Sequence, residues 1–387
     1  MAKTNQLQRK REEYQKLDKR DRRRYWTDGI LNNALYILMF IFIVYTAIKN
    51  KNFLSAGSIA NIISLVAASL PMALGIAGCI VLTGTDLSGG RVVGLTAAVA
   101  GALLQDRTIS RKLFSSLPEI TTGWIILTVL AVMLIGAIIG LVNGFFVAKF
   151  SLHPFIVTLA TQLITYGLIL IFFMLNGNNG QPVSGLSQEY KNVVSAPLFQ
   201  FTTGSGAKIS IPWYVLYAAL FVILMWFIWN KTAFGKNMFA VGSNADAAKV
   251  SGVNVFWTTV MVHTLAGAMY GVTGFIEGAR ISFQVMRVVL GIPGLTRFIG
   301  GGRSSSITHG AGLNYECDAI AACVIGGVSF VGGTGKVSGI VLGVFVLRII
   351  FVALSMLGID PSMQYIIKGG ITLAACSLDM RKYLAKK

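Results

Sequence analysis

From residue 30 to residue 378 long apolar tracts alternate with short polar ones. A helix needs about 20 apolar residues to cross a bilayer. The tracts at roughly 30–48, 57–83, 90–105, 122–148, 155–175, 212–230, 257–277, 318–331, 336–357 and 361–378 predict ten such spans. The fold class is therefore all-α, a polytopic integral membrane protein. Glycines recur inside the tracts at helical spacing: Gly136, Gly140 and Gly144, then Gly335, Gly339 and Gly343, and the pair Gly267 and Gly271. Close backbone approach replaces the hydrophobic drive that helices lack inside lipid, so these positions predict tight helix pairs. The same glycines also permit sliding between packing states.

Composition supports that reading. The chain has 387 residues, of which 12% are charged, about half the share of a soluble domain. The net charge of +18 invites a nucleic-acid interpretation, but its placement argues against one. Residues 1–28 hold ten Lys or Arg against five acids, and the tail RKYLAKK adds four basic residues. Both clusters flank apolar spans without interleaved stacking aromatics, the pattern that keeps Lys and Arg cytoplasmic and draws anionic lipid. No nucleic-acid partner is expected. Ten crossings place both termini inside, with 1–29 a basic extension, 30–378 the membrane domain and 379–387 a basic tail. The first span lacks a cleavage site and reads as retained. Trp213, Trp226, Trp229 and Trp257 fall near predicted span ends, as interfacial aromatics do.

The polar stretches differ in kind. Residues 176–211, rich in Asn, Gly, Ser and Thr, fall outside by the span count. Residues 230–256 fall inside and carry Lys231, Lys236 and Lys249. After a basic lead-in, FGKNMFAVG, Ser243 or Asn244 can cap a helix, with Asp246 in its first turn and Gly252 ending it. A two-turn helix is marginal alone, so it docks on something or is a plain surface hairpin. Residues 280–312 carry four arginines yet count as outside. Either this is a lateral amphipathic element or the count is off by one.

Catalytic chemistry is missing from the pattern. GGTGKVSG (332–339) has Val337 where a phosphate loop needs Ser or Thr, and Phe330 in its first glycine position. The chain is not expected to bind ATP in that way. His153, His263 and His309 lie in separate segments without a catalytic set, and His263 is expected to bond a neighbouring helix. Cys79, Cys317, Cys323 and Cys376 read as structural thiols. No metal or cofactor is implied.

LTGTDLSGGR (82–91) is the sharpest interruption, since Asp86 is the only acid between Asp28 and Asp106. Gly84, Gly89 and Gly90 can break a helix at membrane depth, where bare backbone survives only against protein or water. Thr85 and Asp86 can cap the next helix. Two readings stand: a buried cap with Asp86 paired to Arg91, or direct contact with a transported solute on a discontinuous helix.

Four motifs in one order carry a resemblance. LTGTDLSGGR resembles the G-x-D-L-S-x-G signature of permeases in the ribose/galactose branch of ABC importers, nearest its galactose/methyl-galactoside form. GSNADAAKVSGVNV, NYECDAIAACVIGGVSFVGGTGKVSG and QYIIKGGITLAACSLD resemble three further motifs of that family. The resemblance covers nearly everything from about residue 35. It implies a homodimeric, membrane-spanning subunit of a sugar importer in the plasma (inner) membrane, with a cytoplasmic ABC ATPase and a periplasmic or extracellular sugar-binding protein as partners. Affinity for sugar is then expected mainly in the binding protein. On the matching positions, Gly242, Asn244, Ala247, Ala248, Ser251 and Gly252 would contact the ATPase. Thr85, Asp86, Ser88, Gly89 and Arg91 would form the helix break on the translocation path.

Two departures stand out. Thirty-four residues separate Arg280 from Tyr315, about twenty more than the family pattern, so 281–308 reads as an insertion. Span nine has FVAL (351–354) in place of an Asn-containing stretch, with Arg348 nearby. An arginine at that depth must face a cavity, a partner helix or an anion, and it joins the candidate path residues. An ATP-independent secondary transporter or channel is the alternative function. It needs intramembrane acids, which beyond Asp86, Glu277, Glu316 and Asp318 are scarce. A membrane-embedded enzyme lacks a constellation.

Overall fold

The structure, a computed structural model, describes residue 18 and residues 34–202, 208–289 and 306–384. It is mostly helical. The helices are α1 (Ala34–Lys49), α2 (Ala56–Val81), α3 (Gly89–Leu103), α4 (Thr122–Phe150), α5 (Pro154–Met174), α6 (Gln188–Ser195), α7 (Trp213–Lys231), α8 (Ala233–Ser243), α9 (Ala245–Val250), α10 (Val255–Val289), α11 (Tyr315–Ile325), α12 (Val337–Met356) and α13 (Pro361–Leu384). A helix lies at each of the ten predicted tracts. Among the described residues six helices are long and apolar enough to cross a membrane: α2, α4, α5, α7, α12 and the Val255–Arg280 part of α10.

Local chemistry sets several of the ends. The Ser55 and Thr121 hydroxyls accept from the backbone N–H of Ser58 and Trp124, opening α2 and α4. His153 caps α5, whose first residue is Pro154, where the missing N–H costs nothing. Ser151, in the left-handed region at φ 51°, closes α4.

Burial divides the helices. In α2 and α10, 72% and 78% of the most apolar window is buried, against 22–28% in α4, α5 and α7. The last three therefore present large apolar side chains outward, such as Leu134, Ile164 and Ile223, as a lipid-facing surface does. The α4–α10 pair is the most extensive contact, and its glycines explain why. A Cβ on Gly136 or Gly140 would overlap the carbonyl oxygen of Gly267 or His263, and one on Gly144 would lie 2.7 Å from the Cα of Val260. Gly339 and Gly343 seat α12 on the Gly326 and Ala322 carbonyls in the same way. Gly335 does not belong to that run. It precedes α12 and meets only side chains.

Several expectations need correction. The eighth tract holds only the eleven residues of α11, about 16 Å of helix against a ~30 Å hydrocarbon core. Residues 306–314 lead into it without a helix. They lie along α3, with Gly312 and Ala311 on the backbone of Gly90 and Gly94 and Ile307 over Gly101. Such backbone is tolerated because protein covers it. The 176–211 stretch is not a plain loop. It contains α6 and an antiparallel hairpin, β1 (Pro197–Thr202) with β2 (Lys208–Pro212), so all-α holds for the membrane segments alone. The basic lead-in FGKNMFAVG is helix α8, capped by Thr232. Trp229, two residues before the end of α7, is buried edge-on against Phe239. His263 bonds the Thr259 carbonyl of its own helix, 3.0 Å away, not a neighbouring one. Of the 281–308 stretch, the α10 backbone continues to Val289 and Ile307 pairs with Val183; residues 290–305 lie outside the described residues. So do most of the 1–29 extension and the last three residues of the tail.

Candidate translocation and coupling sites

The helix break falls where LTGTDLSGGR predicts it, between the end of α2 at Val81 and the start of α3 at Gly89. Asp86 is fully buried there. Its Oδ1 accepts from the backbone N–H of Ser88 at 2.9 Å and from the Ser88 hydroxyl at 2.6 Å. Its Oδ2 accepts from the Tyr270 hydroxyl of α10 at 3.1 Å. Asn143 of α4 donates to Ser88 Oγ at 3.0 Å. Thr158 of α5 takes the Leu87 N–H at 3.1 Å and lies 3.2 Å from the Thr85 carbonyl oxygen. Three helices, α4, α5 and α10, thus meet on one turn of seven residues. A Cβ on Gly84 would lie 2.8 Å from Pro154 Cγ, so the turn sits directly on the first residue of α5.

Asp86 does not pair with Arg91, contrary to one expectation. Arg91 lies over the Tyr166 ring, 4.3 Å from its centre, and reaches the His309 carbonyl oxygen at 3.4 Å. Asp86 instead finds neutral hydroxyl and amide donors. Tyr270 is 184 positions away in sequence, and nothing in the pattern marked it. The polar residues Asn143 and Thr158 inside apolar tracts were a usable signal.

The second predicted group lies on α8 and α9. Asn244 caps α9, its Oδ1 accepting from the Ala247 N–H at 2.9 Å. Gly252, at φ +84°, ends the segment. The helix has six residues rather than two full turns. Gly242 and Ala248 are buried, whereas Asn244, Ala247, Ser251 and Gly252 are exposed. Val250, which sequence reasoning passed over, is 90% exposed.

Beneath α8 lies the turn that had looked like a phosphate loop. Gly332 and Gly333 have φ of +88° and +64°, values that L side chains rarely adopt. A Cβ on Gly242 would overlap the Val81 carbonyl oxygen, and one on Gly333 would lie 2.8 Å from Ser243 Cα. The Gly333 N–H donates to that Val81 oxygen at 2.9 Å. Asp379 of α13 holds the turn from the other side, accepting from Ser329 Oγ at 3.0 Å and Phe330 N at 3.1 Å. Backbone at three points therefore joins α8, the 329–334 turn and the last residue of α2.

Arg348 of α12 faces a small cavity and a partner helix, two of the environments its depth requires. Its NH1 is 3.7 Å from Asp318 Oδ2 on α11, and its Nε donates to Ser69 Oγ of α2 at 3.2 Å. Lys368 of α13 reaches the same carboxylate oxygen at 3.4 Å and lies 4.1 Å from the Phe351 ring centre. The cavity is lined by Ser69, Tyr315, Asp318 and Arg348 among apolar neighbours. Buried Glu277 is paired within its own helix to Arg280 at 2.6 Å.

A helical membrane domain with a broken helix, a paired charge cluster and a glycine-seated surface helix describes a transport permease, and sequence comparison agrees. Residues 58–376 match the family described as "Branched-chain amino acid transport system / permease component". The chain belongs to this permease family. It is 40% identical over 354 residues to the galactose/methyl galactoside import permease protein MglC of Salmonella typhimurium, covering 92% of this chain and 95% of the relative. The protein of that name from Haemophilus influenzae is 38% identical, covering 93% and 97%. The ribose import permease protein RbsC of Bacillus subtilis is 29% identical, covering 94% and 97%. No solved structure is a significant match. The chain is thus an ABC sugar permease of this type and a multi-pass protein of the inner membrane.

Proposed function

We propose that this chain forms the translocation path for a monosaccharide of the galactose or methyl-galactoside kind and is driven by a separate cytoplasmic ATPase. Two copies form the path. Each chain crosses the membrane ten times, with α1–α5, α7, α10, α12 and α13 as nine crossing helices, residues 306–314 and α11 together making the tenth crossing, and both termini inside. The outer surface around α6 and the β hairpin receives a sugar-loaded binding protein, and the basic N-terminal extension lies against anionic lipid.

The observation that carries this reading is the seating of α8 and α9. Their exposed side, Asn244, Ala247, Val250, Ser251 and Gly252, is free for an ATPase to grip. Their buried side rests on backbone of the 332–333 turn and of Val81. Closure of an ATPase pair presses α8 onto that seat, which shifts α12 and the end of α2 together. The shift reaches the Asp86 turn five residues further on and tilts α3 against α5 and α10. Coupling free energies between such states are typically about 1–3 kcal/mol, within reach of a few buried hydrogen bonds. The chain itself breaks no bond. An ATP-independent carrier is less well supported, because of its four candidate acids Glu277 and Asp318 are ion-paired and Asp86 is hydrogen-bonded, which leaves Glu316 alone.

The test is sugar uptake by vesicles containing the chain, its ATPase and its binding protein. Ala248→Glu with Gly252→Arg is expected to abolish ATP-dependent uptake. Because Ala248 is buried, Val250→Glu on the exposed side serves as the variant that leaves the fold intact. Galactose transport by the chain with no ATPase present, or undiminished uptake by Val250→Glu, overturns the proposal.

A further inference from the structure

Glu316, at the start of α11, is a buried carboxylate with an unfilled acceptor. It is 4% exposed, and its Oε2 has no hydrogen-bond partner among the described residues. Its Oε1 has only Gln162 Nε2 of α5, at a long 3.4 Å. Burying an acceptor without a partner is costly, and more so for a charged one. Such groups persist where something else is meant to fill them. The carboxylate cannot withdraw toward α3, because it lies against the bare backbone of Gly90, where a Cβ would overlap Oε2.

The next residue along α3 is Arg91, and it is equally under-used. Among the described residues it makes no ion pair with Glu316, and its one hydrogen bond is the long contact to the His309 carbonyl oxygen. Its guanidinium carbon lies 4.3 Å from the centre of the Tyr166 ring, a cation–π contact. Tyr166 and Gln162 lie four residues apart on α5, hence on one face. Three elements therefore bring together a fixed set of donors, an unfilled acceptor, an amide able to do both, and an aromatic face. A simple charge pair would have closed the gap between Arg91 and Glu316.

We propose that Arg91, Gln162, Tyr166 and Glu316 form a sugar-hydroxyl subsite on the translocation path, with Glu316 accepting from the sugar and Arg91 donating to it. A neutral polyol suits this set. Its hydroxyls donate and accept at once, so one ring can bridge the carboxylate and the guanidinium while its C–H face lies on the phenol ring. An anionic solute would meet the Glu316 charge. This subsite rests on the sugar-import reading and assigns contacts to residues outside the Asp86 turn. In the turn both carboxylate oxygens of Asp86 are already hydrogen-bonded, and the turn acts as the hinge beside the subsite.

The experiment compares wild type, Glu316→Gln and Gln162→Leu in vesicles with the ATPase and binding protein. D-galactose and singly deoxygenated galactoses are the probes, with uptake normalised to binding-protein-stimulated ATP hydrolysis. Glu316→Gln is expected to lower galactose uptake about tenfold, the low end for a hydrogen bond to a charged group. It is also expected to abolish the discrimination against one deoxy analogue while ATP hydrolysis is retained. Unchanged galactose uptake overturns the subsite, as does an equal loss for every analogue together with ATP hydrolysis, since either leaves Glu316 a merely structural role. If Glu316→Gln does not assemble, Gln162→Leu carries the same two criteria. Failure of the import reading is distinguishable, because the wild-type complex would then move no sugar in response to ATP.

Discussion

Substituting Gly140 tests whether the α4–α10 contact is set by backbone. A methyl group there would overlap the His263 carbonyl oxygen and lie 2.9 Å from its carbon and 3.2 Å from Gly267 N. Comfortable carbon contacts need about 3.5–4 Å, so the helices must part by roughly 1 Å at that level. A gap of that size forfeits about a quarter to a half of each dispersion contact along the seam, and overpacking of this kind costs roughly 1–3 kcal/mol. Alanine also gains about 1 kcal/mol over glycine in a helix interior. Gly167→Ala on α5 isolates that gain, because nothing lies within 4 Å of its added Cβ. The two variants should therefore differ by about 1–3 kcal/mol, Gly167→Ala raising the Tm in detergent and Gly140→Ala lowering it. Gly267→Ala, which strikes the Gly136 carbonyl oxygen, should add little to Gly140→Ala. Once the helices have parted for one methyl they have made room for the other, a non-additivity typically above about 0.5 kcal/mol. Equal shifts for Gly140→Ala and Gly167→Ala, or strict additivity in the double variant, would refute the reasoning.

Tyr270→Phe leaves Asp86 Oδ2 without its donor and should lower stability by about 1–3 kcal/mol, read as a Tm decrease accompanied by slower uptake. Asp318→Ala strands Arg348 and Lys368 together, whereas Arg348→Met leaves the carboxylate with Lys368. The first should therefore destabilise more than the second in the same thermal assay. Gly333→Ala forces a side chain into a positive-φ turn against Ser243. It should leave ATP hydrolysis by the assembled complex running while sugar uptake falls, measured as the ratio of sugar moved to ATP consumed.

Hydropathy made the helices legible because each is decided locally, by twenty or so neighbouring residues. One pair of caps was legible for the same reason, Asn244 opening its segment and Gly252 closing it, whereas the cap expected from Thr85 or Asp86 is absent, α3 starting after Ser88 without a side-chain cap. Helix α8 was not legible, because Gly235, Asn237 and Gly242 are poor helix formers and the segment is held by the surface it rests on. The β hairpin was hidden by a few alternating residues, Lys208–Pro212, inside a stretch of turn formers. At the break, sequence pointed to the right turn but the wrong partner. Arg91 was the near cation, yet a helix start aims adjacent side chains in different directions, and α10 supplies Tyr270 from across the molecule. Arg348 was recognisable as needing company, but that its company is Asp318, Ser69 and Phe351 is a tertiary fact.

The seat beneath α8 has a mechanical consequence. Side chains are compliant: a lysine nudged by an ångström changes rotamer and absorbs the motion. Main-chain atoms pressed against main-chain atoms have no such slack, so a small displacement at Gly242 is delivered to Val81 nearly whole. If α8 carries the drive as proposed, three hydrogen-sized side chains make it a stiff pushrod, and lengthening any of them should soften the drive before it disturbs the fold.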